Sequence, residues 1–112
     1  MALLCLALEN EKRDEILHYL PPVQTLDSLA DFFSAFSDRT RLKIISALSV
    51  SELCVNDIAL ILKLNQTTVS HQLKLLRSLG IVECKRDGKI IFYKISNRYV
   101  NEILLSGAEF VL

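Results

Sequence analysis

A chain of 112 residues, half of them hydrophobic (51%) and with a formal net charge of zero, has material for one domain with a core and little room for a second. Its three cysteines, Cys5, Cys54 and Cys84, are odd in number and lack paired spacing, which argues against a disulfide framework and for a reducing cytoplasm. Two histidines, His18 and His71, neither beside a nucleophile and an orienting acid, and three glycines with no phosphate loop argue against an enzyme.

Residues 1–8 (MALLCLAL) are apolar but too short to cross a bilayer, and they lack the basic start of a secretory signal, so no membrane partner is expected. They read as the beginning of a packed helix over about 2–20, with Leu4, Leu8, Ile16 and Leu20 apolar around a charged middle, and with His18 near its end as a dipole partner. Pro21-Pro22 breaks it. Leu26, Leu29, Phe33 and Phe36 then recur at spacings of 3, 4 and 3, the stripe of an amphipathic helix. Asp38 is placed to cap the next helix, whose buried row is Leu42, Ile45 and Leu48. A short helix over 55–63 follows, with Ile58, Ile61 and Leu62 inward.

Asn65 is a natural N-cap for a helix over 66–79. Val69, Leu73 and Leu76 point to one side of it, and Thr67, Ser70, His71, Lys74 and Arg77 to the other. Gly80 ends it. The period then changes to two: 81–85 and 89–95 read as strands around Asp87-Gly88, a hairpin signal, with Ile91, Tyr93 and Ile95 on one face and Cys84 packing beside Val82. A last helix runs over 97–112.

The expected fold is mainly α with a small β-hairpin wing, in the order α-α-α-α-α-β-β-α. Two short helices across a tight turn, followed by a basic hairpin, make a winged helix-turn-helix, in which the second helix of the pair enters the major groove. Charge supports that placement. Residues 63–98 carry eight basic side chains against Glu83 and Asp87, a surplus of six, so the remainder of this neutral chain carries a net −6. Positive potential gathered in one block suits phosphate binding and counterion release. Small hydroxyls at Thr67, Thr68 and Ser70 are unusual for an idle solvated face, which favours Glu, Lys and Ala. The tip Lys85-Arg86-Asp87-Gly88-Lys89 can contact phosphates or enter a minor groove. A winged helix that contacts protein instead of DNA is the alternative of another class.

Three segments carry a resemblance to a known family: Phe36-Ser-Asp-Arg-Thr-Arg-Leu42, Glu52-Leu-Cys-Val-Asn-Asp-Ile-Ala59 and Thr68-Val-Ser-His-Gln-Leu-Lys-Leu-Leu76, with Leu79-Gly-Ile-Val82 leading into the hairpin. They resemble the ArsR/SmtB family of winged-helix repressors, over about residues 26–104. The resemblance implies one domain over 1–112, a homodimer joined through the terminal helices (about 2–20 and 97–112), and repression by binding double-stranded operator DNA until an effector releases it. On matching positions Gln66, Thr67, Thr68, Ser70, His71 and Gln72 face DNA, with Arg86 and Lys89 on the wing. Val100, Ile103 and Leu104, together with Leu4 and Leu8, are apolar faces available for the seam.

The family's sensor sites are incomplete here. A Cys-Val-Cys arrangement becomes Cys54-Val55-Asn56, and one thiol is too few for a soft ion. A closing-helix zinc site would fall on Asn97, Tyr99 and Phe110, and phenylalanine cannot ligate. A third arrangement pairs Cys54 and Asp57 with ligands from the partner subunit's N-terminal segment, for which Cys5 with Glu9 or Glu11 are the candidates, for Zn(II) or a soft metal ion. A reversible bridge between Cys5 and Cys54, an organic ligand, or no effector at all are the other readings.

Overall fold

The structure, a computed structural model, describes residues 9–112. Its elements are α1 (Asn10–Tyr19), α2 (Val23–Ser34), α3 (Arg39–Val50), β1 (Leu53–Cys54), α4 (Val55–Leu62), α5 (Gln66–Ser78), β2 (Val82–Asp87), β3 (Ile90–Ile95) and α6 (Arg98–Val111). The expected helix order and hairpin are present, with one strand added. β1 pairs antiparallel with β3 (Leu53↔Tyr93, Cys54↔Phe92), so the wing is the outer part of a three-stranded sheet in the order β1-β3-β2. Two residues are too few to show a period of two, and β1 is defined by its partner alone.

The core lies where α3, α4, α5 and the start of β2 meet. Val69, Leu73 and Leu76 of α5 are fully buried with Ile44 and Ile45 of α3, Ile58 of α4 and Ile81. Several expected inward faces are corrected. Ile44 takes the core position beside Ile45, and Leu42 is half-buried. On α4, Ile58 and Ala59 turn inward while Ile61 is 61% exposed. On α2 the stripe Leu26, Leu29 and Phe33 faces outward, and Phe32 and Phe36 pack on the core instead. That helix is apolar on both sides, so spacing identified a face without naming what covers it.

The terminal helices also differ from expectation. Glu9 is extended at the N-cap position of α1, which runs Asn10–Tyr19; the earlier part of the expected 2–20 helix, with Leu4, Cys5 and Leu8, lies outside the described residues. No residue of α1 is buried. In α6, capped by Asn97 through the Tyr99 N–H (2.9 Å), Val100 is buried in the core, while Leu104 packs on it half-buried. The exposed apolar residues there are Tyr99, Leu105, Phe110 and Val111.

Caps and turns follow local chemistry. Asp38 Oδ2 accepts from the Arg41 N–H (3.0 Å), and Asn65 Oδ1 from the Thr68 N–H (2.7 Å), each satisfying a donor of a first helical turn. The hairpin turn is Gly88-Lys89 rather than Asp87-Gly88, since Asp87 pairs with Ile90. Gly88 at φ +64° occupies the first central position, as a type II′ turn requires.

Two helices end in the same way with different residues. At the end of α5, Gly80 (φ +75°) lets the Ile81 N–H close onto the Leu76 carbonyl (2.9 Å). At the end of α4, the Leu64 N–H closes onto the Ala59 carbonyl (3.0 Å), but the left-handed residue is Lys63 (φ 57°). A side chain there costs about 1–2 kcal/mol. Glycine would relieve it, less about 0.4–1 kcal/mol of unfolded-state entropy. Lys63→Gly should therefore stabilise the fold by about 0.5–1 kcal/mol in chemical denaturation; a loss of stability would contradict the left-handed turn.

Candidate nucleic-acid interface

Burying Val69, Leu73 and Leu76 decides which side of α5 meets solvent. Thr67, Ser70, His71, Lys74 and Arg77 all lie exposed along that side, as their spacing requires. Their hydroxyls are uncommitted among the described residues. Ser46, Ser49 and Ser78 turn back onto helix carbonyls of Leu42, Ile45 and Leu75 at 2.7–2.8 Å, whereas Thr67 and Ser70 make no side-chain hydrogen bond within the chain. Such groups are available to base edges or phosphates.

The remaining expected residues of α5 are placed differently. Gln66 is exposed, but its Nε2 donates to Asn56 Oδ1 of α4 at 2.8 Å. Thr68 is half-buried. Gln72 is half-buried and accepts from Arg41 Nη1 of α3 at 3.4 Å. These tethers were invisible in the sequence, because residues 10 and 31 positions apart meet only through the fold.

On the wing, the basic block is partly neutralised. Lys85 pairs with Glu52 (2.9 Å), and Lys94 with Glu83 (3.2 Å). Arg98 lies 3.9 Å from Glu102. Among the described residues Lys74 and Arg77 in the second half of α5, and Arg86 and Lys89 at the hairpin tip, form no ion pair. The Lys85–Glu52 pair is exposed and so worth at most about 1 kcal/mol. It fastens the wing to the segment before β1 across Phe92, the register partner of Lys85.

The expected metal ligands are not gathered. Cys54 is half-buried at the N-cap position of α4, and Asp57 stands in that helix's first turn. Both line a groove of about 570 Å³ that is walled on its other side by Lys89, Ile90, Ile91 and Phe92. Glu9 is exposed at the start of α1, and Cys5 lies outside the described residues. Among the described residues no three His, Cys, Asp or Glu side chains come together. Cys54 and Asp57 supply two donors of a tetrahedral set, and the expected others come from the partner subunit's N-terminal segment. Cys84 is half-buried opposite Tyr93 on the sheet. No described helix is long and apolar enough to cross a membrane.

Residues 38–83 match the model of the arsR family of bacterial regulatory proteins. The chain is 39% identical over 99 residues to a transcriptional repressor SmtB homolog of Synechocystis, covering 86% of this chain and 75% of that protein. It is 42% identical over 84 residues to the cadmium resistance transcriptional regulatory protein CadC of Listeria innocua, covering 74% and 71%. Among solved structures it resembles a homodimeric winged helix-turn-helix DNA-binding domain of Mycobacterium bovis (TM-score 0.73, 26% identity, 95% of this chain and 90% of that one).

The ion pairs separate two classes of wing cation. Arg86→Gln should lower the salt slope of duplex binding by about 0.9 for each phosphate contact it makes, while Lys94→Gln should leave the slope unchanged. Fluorescence anisotropy at several salt concentrations measures both. Equal slopes for the two variants would contradict the division.

Proposed function

The chain belongs to the ArsR/SmtB family of winged-helix transcriptional repressors, and we propose that it represses as a homodimer whose two α5 helices enter successive major grooves of an operator. The observation that carries this reading is the pairing of an apolar side of α5 locked into the core with an opposite side of free hydroxyls, an imidazole and unpaired cations. Thr67, Ser70 and His71 are the base-facing set. Lys74 and Arg77, further along the helix, approach the backbone, and Arg86 with Lys89 reach phosphates or the minor groove beside it.

A symmetric dimer supports the reading on physical grounds. Leu26, Leu29 and Phe33 of α2 are 40–51% exposed, and Leu105, Phe110 and Val111 of α6 are more so. These faces lack cover among the described residues, and a second copy would bury them. The seam so assigned uses α2 and the far end of α6, in place of Val100, which belongs to the core. Two-fold symmetry then sets half-sites about one helical turn, roughly 34 Å, apart.

The relatives include a cadmium resistance regulator. Cys54 and Asp57 are the residues of this chain that such a response would use, and they fall short of a ligand set among the described residues. The effector is therefore left unassigned to a metal.

Replacing Ser70 and His71 together with alanine should weaken binding to the duplex upstream of the chain's own coding sequence by at least about tenfold, the discrimination expected of one good base contact. Anisotropy reads the loss directly. Undiminished binding would move the function to another surface, as in a winged helix that contacts protein.

A further inference from the structure

We propose that Gln72, although it lies on the α5 segment that meets DNA, is a positioning residue that acts through Arg41 and does not read bases. The inference rests on the DNA-binding reading above and sharpens it.

Arg41 stands in the first turn of α3, with its own N–H held by Asp38. Its guanidinium divides three donors between two other helices. Nη2 donates to the Ser34 carbonyl (3.0 Å) and Nε to the Ala35 carbonyl (3.3 Å), at the end of α2. Nη1 donates to Gln72 Oε1 (3.4 Å), near the middle of α5. The Ala35 carbonyl, at the helix C-terminus, gains a donor from Arg41, while the Ser34 carbonyl also accepts from the Ser37 N–H (3.2 Å) and hydroxyl (2.8 Å). Three separate nitrogens in a planar fork can do this at once; a lysine ammonium on a flexible stem has no such fixed fork.

The chemistry fixes which atom Gln72 commits. Guanidinium has donors only, so Gln72 must turn its oxygen to Arg41. Bidentate recognition of adenine by glutamine uses the carbonyl oxygen and the amide N–H together. With Oε1 directed into the fold, that mode is closed. Gln72 instead ties α5 to the end of α2, the helix whose outer face is left uncovered among the described residues. At its other end α5 is tied to α4 through Gln66 and Asn56. The residues left free to read are Thr67, Ser70 and His71.

Glutamate and alanine at position 72 distinguish positioning from reading. Gln72→Glu keeps the acceptor and turns the Arg41 bond into an ion pair. Gln72→Ala removes it. Both variants are titrated by anisotropy against the upstream duplex and a scrambled duplex of equal length. Positioning predicts that Gln72→Glu binds within about twofold of wild type. It also predicts that Gln72→Ala loses about three- to tenfold on the upstream duplex, the worth of one long, partly exposed hydrogen bond, with its salt slope unchanged. A base-reading glutamine predicts the reverse order, because glutamate lacks the N–H donor and turns a carboxylate toward phosphates. A loss in Gln72→Glu as large as in Gln72→Ala, or no loss in either, overturns the proposal. Wild-type discrimination between the two duplexes tests the DNA reading in the same titration, so the two failures are distinguishable.

Discussion

Everything in this molecule is arranged around the burial of one side of α5. Val69, Leu73 and Leu76 are fully enclosed by α3, α4 and the start of the sheet, each worth about 1.5–3 kcal/mol relative to exposure. Rotating α5 by one residue, about 100°, would expose that stripe and carry Ser70 or Leu75 to the wrong side. The orientation of the polar side is thus held by several kcal/mol of apolar burial, well above what any surface contact supplies. Recognition residues can then vary in chemistry without disturbing the fold.

Much of this was legible in the sequence because it is local. Asp38 and Asn65 cap the helices that they precede, Gly80 ends α5 in the left-handed region, and the α5 stripe is buried as its spacing requires. The parts that were not legible depend on partners far along the chain. β1 exists only through its pairing with β3. The outward turn of α2 reflects competition between Leu26, Leu29 and Phe33 on one side and Phe32 and Phe36 on the other, decided by the core and not by periodicity. At the site, the free hydroxyls and tip cations were evident from residue type and spacing. The commitments of Gln66, Gln72, Lys85 and Lys94 to Asn56, Arg41, Glu52 and Glu83 were not.

These commitments change how charge and amides should be counted. A neutral chain divided into basic and acidic blocks presents fewer free cations than its sequence suggests, because local ion pairs cancel part of the surplus. Asn56 stands where the resembling family's Cys-Val-Cys arrangement has its second thiol, and here it holds the first residue of α5.

The central claim is that α5 and the wing tip together form the DNA surface. Backbone amide NMR of the protein titrated with its upstream duplex tests it most directly. The account predicts shifts concentrated at Thr67–Arg77 and Arg86–Lys89, with α2 and α6 little changed. Shifts confined to α2 and α6, or absent from α5, would contradict it.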